Sequence, residues 1–300
     1  MGRIRDAVMM GARTVRRIPL PAGATRHALR EARRPAPTGA VQKRHAVEVE
    51  MIGRTRGVWL DGHHADRGII VHLHGGAYLS GPFASDWDWL SRQVDARGCA
   101  GLMIDYRTAP DHVHPIALDD AESALAALTA DGRLTAAPWI LSGQHAGGGL
   151  AFTVARHLRE RDEVPAPAAL VAMSPWLDLE LTNASITETD RVDPVHERRL
   201  LRDAARVYAG RTPLEDPDLS PINGSLDGLP PIHLSVGLRD LFLHDVRVAK
   251  LQLEEHGADI AYREVAGKLG LQLTPRRGED AERLYREQEL LIREALSPRR

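Results

Sequence analysis

Short apolar runs alternate with longer stretches whose apolar residues recur at helical spacing. Residues 47–51 (Val47-Glu48-Val49-Glu50-Met51) alternate as a half-buried strand should. Residues 58–60 predict a second short strand, with Asp61-Gly62 as its turn. The runs at 68–74, 100–106, 139–142, 168–176 and 232–237 are apolar enough for strands buried on both faces. A last strand is expected at 260–265. Helical patterns cover 116–129, 148–158, 246–256 (ended by Gly257) and 280–296. Strands and helices in alternation predict an α/β chain: a mainly parallel sheet with helices on both faces.

Two stretches depart from this alternation. Residues 1–46 form an N-terminal cap segment, with Ile4, Val8, Met9 and Val15 at helical spacing among Arg16, Arg17, Arg26, Arg30, Arg33 and Arg34. Pro19 and Pro21 break it, and Pro35 and Pro37 end it. It reads as a membrane-surface helix or as a helix packed over a pocket mouth; the acidic residues within it favour the second reading. The main domain then runs over residues 47–300, with a polar insertion at about 177–221 that reads as a helical lid over the sheet. Within that insertion, 183–193 is expected to be loop and 197–208 helix.

Composition narrows the function classes. The chain of 300 residues has a formal net charge of −2, so no nucleic-acid-like field surrounds it. The one cysteine, Cys99, excludes an internal disulfide or a cysteine zinc site. No apolar run is as long as a membrane span, and no signal-peptide pattern opens the sequence, so a cytoplasmic protein is expected. His63-His64 has no further ligand at metal-site spacing, and no metal or organic cofactor is implied. The expected partner is a small acyl or carbonyl compound, not a nucleic acid or an integral membrane environment.

The chemistry concentrates in Leu141-Ser142-Gly143-Gln144-His145-Ala146-Gly147-Gly148-Gly149-Leu150. This is the strand–turn–helix context of a nucleophile elbow, G-x-S-x-G, with His145 at the serine position. Gly143 and Gly147 supply the small neighbours that so tight a turn requires. The N–H of Ala146 then opens a helix and becomes an anion donor. Upstream, Gly75-Gly76 directly follow a buried strand, where backbone N–H groups can cradle a carbonyl oxygen or a carboxylate. Tyr78 and Trp87 follow as pocket-lining residues.

Taken together, these residues resemble the hormone-sensitive-lipase-like esterases of the α/β-hydrolase fold. His74-Gly75-Gly76-Ala77 is similar to that group's H-G-G-[GA] motif, and Asp105-Tyr106-Arg107-Thr108-Ala109-Pro110-Asp111-His112 to its D-Y-R-L-A-P-E-H stretch. Ser174-Pro175-Trp176-Leu177-Asp178-Leu179 and Gly228-Leu229-Pro230-Pro231 also match, in order, from about Val47 onward. The resemblance implies an oxyanion hole on Gly75, Gly76 and Ala146, and a triad acid at Asp240. It implies a serine where His145 stands, and a histidine where the chain has Gly270.

On that basis the ordinary serine mechanism lacks its hydroxyl and its base. Imidazole titrates near about 6.5, so His145 suits proton transfer, and a His145–Asp240 dyad is a geometric expectation across a gap of roughly 7 Å, one ring and two hydrogen bonds. Three readings stay open: proton transfer without hydrolysis (elimination, isomerisation or cyclisation), a non-catalytic small-molecule binder, and an ester hydrolase working through His145. The sequence reading places the first ahead. His112, His114 and His244 are further candidates for the missing imidazole.

Overall fold

A computed structural model describes residues 35–161, 163–193, 196–266 and 279–297. The Arg-rich stretch before Pro35 and the 267–270 segment with Gly270 lie outside the described residues. Eight strands form one sheet: β1 Val47–Ile52, β2 Thr55–Leu60, β3 Ile69–Leu73, β4 Ala100–Asp105, β5 Trp139–Gln144, β6 Ala169–Met173, β7 Ile232–Gly237 and β8 Ile260–Val265. Their spatial order is β1-β2-β4-β3-β5-β6-β7-β8. β1–β2 and β2–β4 pair antiparallel, and every other pairing is parallel. The expected mainly parallel sheet is therefore the observed one.

Every residue of β3 to β7 is buried, as strands covered on both faces must be. One face carries α3 Ile116–Ala130, α5 Ala146–Glu160 and α8 Leu243–Glu255, through Leu118, Leu150, Phe152, Val246 and Leu253. The other carries α1 Gly39–Gln42, α2 Ala84–Arg97 and α9 Glu279–Ala295, through Val41, Trp87, Leu90 and Ile292. A short α4 Arg133–Ala136 precedes β5, and α6 Ile186–Asp190 and α7 Arg198–Ala209 lie between β6 and β7.

Three local expectations change. Burial along β1 does not alternate: Val49 and Met51 are 56% and 68% exposed, and half-buried Glu50 accepts the Trp59 indole N–H at 2.8 Å. β1 is an edge strand, so its inner face is shared with polar partners. The sequence reading assigned no element to 84–97, where Trp87, Leu90 and Val94 recur at helical spacing and form the buried stripe of α2. The stretch 183–193 is not all loop: Ile186 and Thr189 are buried, and burying them winds one turn of helix.

α5 crosses the core from the elbow, and its far end is tied down by His157. The ring bonds Glu122 of α3 at 2.6 Å and Asp218 of the β6–β7 segment at 2.8 Å. The hydrogen bond to Asp218, then that to Glu122, hold the His157 pKa up at about 9 against partial burial. A raised folded-state value stabilises fully below the ordinary histidine range and is lost as pH rises through about 9. We expect the wild type to lose on the order of 1–2 kcal/mol more unfolding free energy than His157→Gln between pH 6 and pH 9.5, a figure discounted for partial solvent screening. Urea unfolding at both pH values measures it, and parallel losses in the two proteins would refute the tie.

Candidate active site

β3, β5, β6 and β7 are parallel neighbours, so the loops leaving their C-terminal ends meet in one crevice. At its centre the chain turns from β5 into α5 at His145, with φ 52° and ψ −114°. This strained conformation for a residue with a side chain is that of a nucleophile elbow. It is held from three sides: His145 N–H donates to Met173 O at 3.0 Å, and its carbonyl accepts from Trp176 N at 2.9 Å and Gly149 N at 3.0 Å. A Cβ on Gly147 would collide with the carbonyls of Leu73 and His74, and one on Gly143 with the backbone of Gly147. Close approach of backbones, as expected, is what these glycines permit.

The loop after β3 lies beside the elbow. His74 stacks on Tyr106 at 4.0 Å, and its carbonyl accepts the Tyr106 hydroxyl at 2.6 Å, which makes it a structural residue. Gly75, expected as an oxyanion donor, instead gives its N–H to Asp86 Oδ1 at 3.1 Å. Asp86 also accepts from Phe83 N at 2.7 Å, from the Gln144 side-chain amide and, at 3.4 Å, from His72. Full burial would raise the Asp86 pKa, but the His72 hydrogen bond, the charges of His72 and His74 and the Phe83 amide outweigh it and hold the carboxyl below its ordinary range. The buried carboxylate thus fastens the loop. The amides of Gly76 and Ala77 reach no acceptor among the described residues. Ala146 heads α5, where first-turn amides lack an intrahelical acceptor. Gly76 has φ 121°, and Ala77 and Tyr78 are left-handed at φ 54° and 57°.

Tyr78 is buried beside the elbow's helix. Its ring stacks on Tyr208 of α7 at 3.9 Å and lies 6.4 Å from Trp176. Burial raises its phenol pKa well above the ordinary value, against a hydrogen bond with the Leu150 backbone.

The His145 ring leans toward the β7 side. It lies 5.0 Å from the His196 ring and 5.6 Å, edge-on, from Phe242. Burial pushes its pKa well below the ordinary value, the charge of His196 adds to the push, and Asp193 and Asp86 oppose it. His145 is therefore neutral at neutral pH. His196 bonds Asp193 through Nδ1 at 3.0 Å and through its backbone N–H at 2.8 Å, and Asp193 also accepts from Leu241 N at 2.7 Å. Burial lowers the His196 pKa, but the charge and hydrogen bond of Asp193, with Asp240 beyond, outweigh it and raise the net value. Asp240 accepts from the Ser174 hydroxyl and from Gly237 N at 2.9 Å, and its Oδ1 has no partner among the described residues. Burial raises the Asp240 pKa; Asp193 adds, while Ser174, His196 and Gly237 oppose.

The expected dyad of His145 and Asp240 thus has a shared neighbour, His196, whose charge acts on both. The sequence reading missed His196 and Asp193, although a carboxylate three residues before an imidazole in a polar segment is a readable pair. It missed Asp86 too, the third residue of α2, where acids favour helix starts. The other candidates sit elsewhere: His114 packs edge-on against Tyr208 at 5.9 Å, and His244 faces Glu188 at 4.0 Å. His63 and His64 lie in a short 3-10 helix, and among the described residues no group of three metal-ligating side chains gathers. No described helix is long and apolar enough to cross a membrane.

The sequence pattern of the alpha/beta hydrolase fold matches residues 70–269. An acetyl-hydrolase of Streptomyces hygroscopicus is 32% identical over 72% of this chain and 72% of its own length. An esterase of Mycobacterium tuberculosis is 30% identical over 68% and 69%, and an esterase of Acinetobacter venetianus 28% identical over 66% and 65%. Among solved structures, an esterase of the bacterial hormone-sensitive lipase family superposes with a TM-score of 0.77 at 29% identity, covering 84% of this chain and 85% of that one. These likenesses overturn the expectation of proton-transfer chemistry without hydrolysis, and of a mere binder. Relatives at 28–32% identity are named acetyl-hydrolase and esterase, which points to hydrolase activity.

The loop anchor yields a direct expectation. Asp86→Ala strips acceptors from buried donors and should lower unfolding free energy by about 1–3 kcal/mol. Amide hydrogen exchange at Gly75 should quicken in step; unchanged protection there would show that Asp86 does not hold the loop.

Proposed function

We propose that this chain, which belongs to the α/β-hydrolase fold family, hydrolyses carboxylic esters of small acyl groups with His145 as its general base. The observation that carries the reading is a neutral imidazole at the tip of the elbow, beside a loop and a helix start whose amides have no other acceptor. The names of the relatives supply the ester and the small acyl group.

The ester carbonyl oxygen sits against the amides of Gly76, Ala77 and Ala146, with Gly75 holding the loop through Asp86. His145 takes a proton from water, and the hydroxide so formed adds to the acyl carbon. The ring packs against Phe242 and His196, and it acts in this reading as a base through water rather than as the nucleophile. Negative charge developing on the carbonyl oxygen is held by the amides, and collapse releases acid and alcohol. Asp240, fixed by Ser174 and Gly237, acts on His196 rather than on the elbow ring. Tyr78 bears on Tyr208 rather than on the carbonyl.

Residues 177–221 act as the lid. His145 is only 4% exposed, so an ester reaches it when this segment moves. The wild type should hydrolyse p-nitrophenyl acetate clearly above the buffer blank, and His145→Ala should lose about 10²-fold or more of that rate. A wild type at the level of the blank refutes the reading.

A further inference from the structure

The proton that the departing alcohol needs has its own source. Resting on the hydrolytic reading above, we propose that His196, presented by the segment between β6 and β7 and held by Asp193, is the general acid of this site. His145 takes the proton of the attacking water, and His196 gives its proton to the leaving alkoxide.

Geometry sets the division of labour. The two rings lie 5.0 Å apart, and Phe242 packs against both, 5.6 Å from His145 and 5.0 Å from His196. Asp193 occupies Nδ1 of His196, which leaves the Nε2 proton as the one to deliver. Asp193 is fully buried, and the Leu241 amide together with two donors from His196 fixes its orientation. The pair of acid and imidazole is therefore built, not a chance surface contact.

Electrostatics then assigns one proton to two rings. Two imidazolium ions at this separation repel, so the rings titrate as a coupled pair. The charged groups acting on His145 are His196, Asp193 and Asp86, and those acting on His196 are Asp193 and Asp240. The carboxylates next to His196 keep the resting proton there, and burial keeps His145 bare. When water gives its proton to His145, the second positive charge makes His196 a stronger acid at the moment the alkoxide departs.

The atoms balance. The water oxygen bonds to the acyl carbon and one water proton goes to His145. The bond from the acyl carbon to the alcohol oxygen breaks, with its electron pair remaining on that oxygen. The alkoxide takes the Nε2 proton of His196, and the proton on His145 then passes to His196, restoring the start. The net change is ester and water to carboxylic acid and alcohol.

Leaving-group dependence tests the acid role, because p-nitrophenolate departs without protonation at neutral pH and ethoxide does not. kcat/KM is measured against pH for p-nitrophenyl acetate by absorbance and for ethyl acetate by pH-stat, in wild type, His196→Gln, Asp193→Asn and His145→Ala. His196→Gln should lose about 10²-fold on ethyl acetate and less than about tenfold on p-nitrophenyl acetate. The wild-type ethyl acetate profile should be a bell, with its acid limb below and its alkaline limb above the ordinary histidine range. His196→Gln should lose the alkaline limb, and Asp193→Asn should move it to lower pH. Equal losses on the two esters, or none on either, overturn the proposal. Loss of wild-type turnover on both esters instead sinks the hydrolytic reading itself, and the two failures are told apart by that control.

Discussion

At His145 the chain passes from the end of a central strand into a buried helix within a single residue, at φ 52° and ψ −114°. An L-residue holds that conformation only when its surroundings fix it on all sides. Here the constraint comes from the backbone of β6 and its following turn, through Met173 and Trp176, and from the first turn of α5. Side-chain bulk is excluded at Gly143 and Gly147, where the strand, the helix and the end of β3 run into van der Waals contact. The crevice, the amides that border it and the aim of the His145 ring all follow from this one turn.

Around the turn, buried charge is arranged so that each ionisable group restricts its neighbour. Asp86 lies on the β3 side, spends its lone pairs on the loop and on Gln144, and remains ionised despite burial. Asp240 lies on the β7 side, held by Ser174, and is drawn toward its protonated form by burial and by Asp193. The two imidazoles between them are driven apart in basicity: the elbow ring is buried against apolar Phe242, and the other ring is bonded to a carboxylate. Pairs of titratable groups whose environments separate their pKa values are the usual mark of an acid and a base. Burial together with the charge of His196 lowers one ring, and Asp193 with Asp240 reverses the effect of burial on the other.

The segment between β6 and β7 is part of that arrangement. It brings His196 and Asp193 to the elbow, and stacks Tyr208 on Tyr78. Through Asp218 it is also joined to His157, at the far end of the helix that the elbow opens. The same helix therefore feels the segment at both ends. The segment thus contributes an aromatic stack, an ion pair and the contact between the two imidazoles together.

Much of this architecture is legible in single stretches of sequence. Apolar runs bounded by glycine or proline mark β3 to β7, because a strand covered on both faces has no polar side to show. Gly143, His145 and Gly147 mark the elbow, because only small neighbours fit so tight a turn. Gly75 and Gly76 mark the loop, although which amide serves the loop and which serves a ligand depends on Asp86, a residue that becomes adjacent only when α2 packs. The half-burial of Glu50 and the helical turn at Ile186 depend in the same way on partners far along the chain.

Local sequence thus determined the sheet, the elbow and the loop, since backbone conformation answers to the few residues on either side. Tertiary structure alone decided that His145 is neutral, that Asp193 holds His196 beside it and that Asp240 feels both. Charge states answer to distance in space, and the groups that set them meet only after the β6–β7 segment has folded onto the ends of the strands.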